Sequence, residues 1–235
     1  MHQRLDDRGA SVSRGTLQRL TNRLSAKLEK RRGRVVGKFR RLFGLTYVSP
    51  LSEADMFDAL RFKSVALVGN ARSLSESGFG ASIDSHDLVI RCNQAPMPDK
   101  RSHGARTDWI ATSIELDRQI MAQKGASHLL WMSPPRNALP GWILKWPNFF
   151  LYPSASHKAL CAKVGNRPTT GLMLIDLLER SPCLSVSLYG FDFYRSLSLS
   201  NEHNSRETPH DYDTEESYVR KLLASDHRFS LNINA

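Results

Sequence analysis

The stretch that decides the fold is Val65–Pro96, VALVGNARSLSESGFGASIDSHDLVIRCNQAP. It opens on a short apolar β run, Val65-Ala66-Leu67-Val68, and breaks at Gly69-Asn70 into small and polar residues. A second apolar run, Leu88-Val89-Ile90, ends in Arg91-Cys92-Asn93. Both runs are apolar at consecutive positions, as strands covered on two faces are. Each run therefore delivers an asparagine just beyond its C-terminal end. In open α/β sheets ligands bind outside the carboxyl ends of the strands. A carboxamide there presents both donors and acceptors to a nucleotide. Strand, Gly-Asn turn, strand with no ligand is the competing reading, because Gly-Asn is ordinary turn chemistry.

Working outward, the remaining segments follow the same rhythm. Further strands are expected at Trp109–Ala111, His128–Met132, Asn148–Tyr152 and Leu184–Tyr189, and a buried helix at Leu172–Leu178. Ser52 is a candidate N-cap, with Asp55 at N3, for a short helix running to Leu60. The helix between the first two strands is expected to be short or absent, because Ser73–Ser82 is small and polar. Alternation of strands with helical segments argues an α/β fold with a mainly parallel sheet covered on both faces.

The 235 residues suffice for one sizeable α/β domain with an appendage. The net charge of +10 is confined to the N-terminal end: residues 1–45 hold 13 Lys/Arg against 3 Asp/Glu, and the remaining residues hold 20 of each sign. We therefore divide the chain into a basic extension, 1–50, and a main body, 51–235. A neutral body argues against a nucleic-acid binder. Residues 1–15 read as disordered. Leu17, Leu20, Leu24 and Leu28, then Val35, Val36, Phe39, Leu42 and Phe43, recur at helical spacing among lysines and arginines, with Gly33 a candidate interruption. Such a helix suits an anionic membrane surface; a basic helix packed on a neighbouring subunit, or a coiled-coil seam, is the alternative.

The sequence shows no apolar run of about 18 residues and no signal-peptide pattern. Cys92, Cys161 and Cys183 are odd in number, widely spaced and without metal-ligand clustering. The expected location is the cytoplasm, including the inner face of its membrane.

Two more constellations carry chemistry. Arg167-Pro168-Thr169-Thr170-Gly171 precedes an apolar helix, which puts hydroxyls and unpartnered N–H groups at a helix N-terminus, where an anion is favoured. His210-Asp211-Tyr212-Asp213-Thr214-Glu215 places a histidine, whose ordinary pKa is near 6.5, at a helix start. Taken singly, a threonine N-cap and an exposed histidine beside acidic dipole partners explain both. There is no Gly-x-Gly-x-x-Gly and no P-loop, which lowers dinucleotide and ATP readings. Asp211-x-Asp213 has the form of a metal-binding acidic pair but lies inside the histidine cluster.

Taken together, the three segments resemble the sialyltransferases of glycosyltransferase family 29. Val68-Gly69-Asn70, Ile83-Asp84-Ser85-His86-Asp87 and Arg91-Cys92-Asn93-Gln94-Ala95-Pro96 match that family's large sialylmotif in order. Pro168-Thr169-Thr170-Gly171 followed by a helix and a strand ending in Tyr189-Gly190-Phe191 resembles the small one. His210 with Glu215 resembles the very small one. Arg91-Cys92-Asn93-Gln94 and the Ser187–Tyr194 run also resemble the bacterial sialyltransferases of family 42. The resemblance covers roughly 65–221.

It implies a Rossmann-like α/β/α sandwich and a CMP-sugar-dependent, inverting glycosyltransferase. The donor would be CMP-sialic acid or CMP-Kdo, the acceptor a glycan or lipid-linked glycan hydroxyl. No metal or cofactor is implied. His210 would be the general base. Asn70, Ala71 and Asn93 would hold the cytidine and ribose side of the donor, and Thr169, Thr170 and Gly171 its carboxylate or phosphate. His203, or alternatively Tyr194, would contact the phosphate. Gly69, Glu215 and Tyr189 would support the site. Luminal family members pair a cysteine at the start of the large motif with one in the small. Here Val65 stands at the first position, so that disulfide cannot form. Pro134–Trp146 is the expected acceptor loop. A non-catalytic membrane- or nucleic-acid-binding module is the rival from another class, and an enzyme using a different nucleotide is the other.

Overall fold

The computed structural model describes residues 28, 31–33, 35–36, 38–40, 42–43, 47–135, 139–193 and 210–233. The chain divides into two units, Met1–Thr46 with Pro135–Leu139, and Tyr47–Pro134 with Pro140–Ala235. In the first unit residues 28, 31–33, 35–36, 38–40 and 42 are helical, Gly33 included, so no interruption falls there. The leucine repeat at 17, 20 and 24 and the expected disorder of 1–15 lie outside the described residues. No helix among the described residues is long and apolar enough to cross a membrane.

The second unit is built on seven strands: β1 Ser64–Val68, β2 Leu88–Cys92, β3 Trp109–Thr112, β4 His128–Trp131, β5 Phe149–Leu151, β6 Ser185–Tyr189 and β7 Phe229–Asn232. They form one sheet in the order β5-β4-β3-β2-β1-β6-β7. Every pairing is parallel, with Val65 opposite both Leu88 and Val186. The expected mainly parallel sheet is thus wholly parallel. β7 was not expected: its Phe-Ser-Leu-Asn run is short, half polar and only partly buried, as suits an edge.

Strand alternation sorts the core into two layers. Val65, Leu67, Ile90, Trp109, Leu130, Phe150 and Leu188 face one side, against Met56 and Leu60 of helix Glu53–Leu60, Leu160 and Val164 of Ser154–Val164, the apolar side of Thr170–Arg180, and Val219 and Leu222 of Tyr212–Ser225. Ala66, Val68, Val89 and Tyr189 face the other, against Leu74 of the 3-10 turn Arg72–Glu76 and Ile83 of helix Gly80–Asp84. These two short elements fill the Ser73–Ser82 connection. Helix Glu53–Leu60 carries the expected capping box, Ser52 and Asp55 bonding each other's backbone N–H groups.

The strand order locates the ligand crevice. From β1 the chain steps outward through β2, β3, β4 and β5, then returns across the sheet to β6 on the opposite side of β1. That reversal is the topological switch point where doubly wound sheets bind ligands.

Candidate functional site

At the switch point β1 and β6 end in glycines that touch. The Gly69 N–H donates to the Tyr189 carbonyl at 2.8 Å and the Ala71 N–H to that of Gly190 at 3.2 Å. A Cβ on Gly69 would stand 2.4 Å from the Gly190 carbonyl oxygen, and Gly190 itself has φ +66°. Only residues without a side chain permit this approach.

Beside the glycines stand the two asparagines. The Asn70 amide donates through Nδ2 to the Cys92 carbonyl at 3.2 Å. Asn93 follows β2 directly in the left-handed region, φ +55°, a conformation that asparagine tolerates better than most residues. The Asn93 N–H is fixed to the Ala111 carbonyl at 2.7 Å, and Thr112 Oγ1 lies 3.4 Å from its Oδ1. Between them the Cys92 thiol is buried, which pushes its pKa up to about 12 and removes it as a nucleophile.

The third wall is the start of helix Thr170–Arg180. Thr169 is the N-cap, its hydroxyl accepting from the Leu172 N–H at 3.1 Å. The same Thr169 donates its own N–H and hydroxyl to the two oxygens of Glu215, each at 2.7 Å. Thr170 Oγ1 donates to Ser113 Oγ at 2.8 Å. The backbone N–H groups of Thr170 and Gly171 have no hydrogen-bond partner among the described residues. They form a short positive pole of the helix dipole.

His210 closes the ring. The Arg167 carbonyl lies 2.8 Å from its Nδ1. A carbonyl only accepts, so Nδ1 carries the proton and the lone pair of the neutral imidazole lies on Nε2. Glu215 stands one turn into helix Tyr212–Ser225, which Asp211 caps by accepting from the Thr214 N–H. Glu215 is 6 % exposed. Burial raises its pKa to about 7, against the two bonds from Thr169, which lower it.

These groups surround one cavity of about 310 Å³. The structure brings Gly69, Asn70, Ala71, Asn93, Thr169, Thr170, Gly171, His210 and Glu215 to its wall. Tyr189 is not among them: its side chain lies in the core of the opposite layer, with its hydroxyl 2.8 Å from that of Ser82, and only its carbonyl serves the Gly69 turn. His203 and Tyr194 lie outside the described residues. Ser113, Ile114, Phe191 and Asp192 also line the cavity. Ser113 follows β3 directly, the position at which a strand-end ligand contact is expected, and that was its signal. Among the described residues no group of three or more His, Cys, Asp or Glu side chains is placed to hold a metal ion.

Other parts of the Val65–Pro96 stretch build the scaffold. Asp84 accepts from the N–H groups of Ala105 and Arg106, and Asp87 from that of Ser64. Arg91 is 1 % exposed and donates to the carbonyls of Arg106 and His103 and to Thr107.

An open parallel sheet thus gathers two asparagine amides and a helix N-terminus at its switch point, the place where doubly wound sheets bind ligands. Comparison with known proteins narrows the class. The family model for glycosyltransferase family 29 (sialyltransferase) matches residues 15–132, half of the chain, and the chain belongs to that family. The mouse CMP-N-acetylneuraminate-beta-galactosamide-alpha-2,3-sialyltransferase 2 is 26% identical over 162 residues, 57% of this chain and 44% of the relative. Sialyltransferase-like protein 1 of Arabidopsis thaliana is 28% identical over 148 residues, 57% of this chain and 28% of the relative. The chain thus spans less than half the length of these curated relatives. Among solved structures, a mammalian sialyltransferase in complex with Gal-beta-1-3GalNAc-ortho-nitrophenol superposes with TM-score 0.53 at 25% identity, covering 77% of this chain and 73% of that one. CstII of Campylobacter jejuni, solved with CMP-3FNeuAc, shares the fold with TM-score 0.54 at 18% identity, over 72% of this chain and 81% of that one.

Proposed function

We propose that the chain transfers sialic acid from CMP-sialic acid to a glycan hydroxyl, inverting the anomeric centre in one displacement and using no metal. The observation that carries this reading is the Arg167–His210 bond. With Nδ1 donating to that carbonyl we assign Nε2 as the base, and His210 lines the same cavity as Thr170 and Gly171. Family membership and the donor and acceptor named for the relatives supply the substrate classes.

In the proposed reaction Nε2 takes the proton of the acceptor hydroxyl as its oxygen bonds to the anomeric carbon. The bond from that carbon to the phosphate oxygen breaks, and its electron pair leaves with CMP. The negative charge gained by the phosphate is met at the helix N-terminus, as preorganised dipoles meet charge that develops in a transition state. Asn70 and Asn93 hold the cytidine and ribose. CMP-Kdo is the alternative donor, since this part of the wall meets only the shared CMP moiety. We assign the protein to a reducing cytoplasmic setting, supported by free thiols at Cys92, Cys161 and Cys183.

The test is a thermal-shift panel in EDTA of CMP, CMP-sialic acid, CMP-Kdo, UDP and NAD. A ligand that binds only the folded state raises the melting temperature by mass action. The expected result is a shift with the cytidine nucleotides alone. A shift with UDP or NAD and none with CMP would overturn the reading.

A further inference from the structure

We propose that the described residues between 28 and 43 carry a docking face for an anionic lipid bilayer. Six apolar side chains there are exposed: Leu28 66%, Val35 66%, Val36 40%, Phe39 55%, Leu42 80% and Phe43 60%. At about 100° per residue they fall within an arc of roughly 120°, one stripe along the helix. The rings of Phe39 and Phe43 are in contact, with centroids 4.4 Å apart. Arg31 and Lys38, both exposed, flank the stripe on one side, and Arg40, half-buried, on the other. Arg32, also exposed, falls within the arc, where its stem can lie along the apolar surface while its guanidinium reaches the headgroups.

Charge selects the occupant. Residues 1–45 hold 13 Lys/Arg and 3 Asp/Glu. Self-association through this stripe would bring two strongly positive segments together, without the acidic partners a helix pair uses at its flanks. The rest of the chain holds 20 residues of each sign and offers no acidic excess to cover it. An anionic bilayer satisfies both features, taking the apolar stripe into the headgroup boundary and drawing in the flanking cations.

The test uses the full chain without donor or acceptor, so its outcome does not depend on the transferase reading. The protein is sedimented with phosphatidylcholine vesicles with and without phosphatidylserine, at low and high salt. Binding is expected only with phosphatidylserine and should fall as salt screens it. Phe39→Ser with Leu42→Ser, and separately Arg31→Gln with Lys38→Gln, should each weaken partition about tenfold or more with the melting temperature unchanged. Equal binding to both vesicle types, or unchanged binding by both variants, overturns the proposal. So does a doubled mass in light scattering, without vesicle binding, that Phe39→Ser with Leu42→Ser reverses, since it would assign the face to a second copy.

Discussion

The carboxylate of Glu215 accepts both the N–H and the hydroxyl of Thr169, each at 2.7 Å. This pair ties the N-terminus of helix Thr170–Arg180 to the first turn of helix Tyr212–Ser225. A buried acid at a helix N-terminus is stabilised by the dipole, yet burial raises its pKa to about 7.

A pH dependence follows from that shift. A carboxyl whose pKa rises on folding gains protons as the chain folds. Its contribution to stability is therefore complete below the unfolded value near 4.5 and is lost as pH rises through about 7. Denaturant titrations between pH 5 and 8 should show a loss on the order of 2–3 kcal/mol in the wild type that is absent in Glu215→Gln. The variant itself should be less stable, by about 1–3 kcal/mol near pH 7, because an amide nitrogen cannot accept from Thr169. Superimposable pH profiles would contradict the assignment.

Gly69, Gly171 and Gly78 should not be equivalent. Gly69→Ala places a Cβ 2.4 Å from a backbone oxygen of Gly190, which has nowhere to move. Gly171→Ala meets the edge of the Phe191 ring at 2.8 Å, which can swing, and Gly78→Ala meets nothing within 4 Å. Thermal unfolding should rank the losses in that order, with about 1–3 kcal/mol or more for Gly69→Ala and little for Gly78→Ala. A Gly69→Ala variant as stable as Gly78→Ala would show that the two strand ends are not in contact.

Asn93 combines a left-handed backbone with an amide in the cavity wall, and two substitutions separate these roles. Asn93→Gly keeps the φ of +55° available and deletes the amide. CMP affinity should fall by about 5- to 150-fold, the equivalent of about 1–3 kcal/mol for a nucleotide group left unpaired. Asn93→Ala should lose the same affinity and, in addition, about 1–2 kcal/mol of stability, because alanine is strained at positive φ. Unchanged CMP binding by Asn93→Gly in calorimetry would remove this residue from the donor site.

Much of this arrangement was legible in the sequence because its residues punctuate. Gly69, Asn70, Asn93 and Thr169 sit where apolar runs begin or end, and a parallel sheet gathers the carboxyl ends of its strands at one edge. The central strands were legible for the same reason, being apolar on both faces. β7 and helix Ser154–Val164 were not. The first is a short, half-polar edge, and the second buries only Leu160 and Val164 among polar residues. Nor can spacing distinguish a site residue from its support. Arg91 and Asn93 are two apart in one segment, yet Arg91 is bonded within the scaffold while Asn93 lines the cavity. Tyr189 shows the same limit, since strand alternation turns its side chain to the layer opposite the site.

The account stands most directly on His210. Its Nδ1 donates to the Arg167 carbonyl, and in the proposed reaction Nε2 takes the acceptor proton. The decisive measurement is the rate of sialic acid transfer from CMP-sialic acid to a glycan acceptor in EDTA, for wild type and His210→Ala, beside calorimetric CMP affinities of both. Loss of a general base should slow transfer about 10²–10⁴-fold and leave CMP affinity nearly unchanged, because the base acts on the acceptor. Near wild-type transfer by His210→Ala would contradict the account, as would transfer by the wild type that ceases in EDTA and returns with magnesium or manganese.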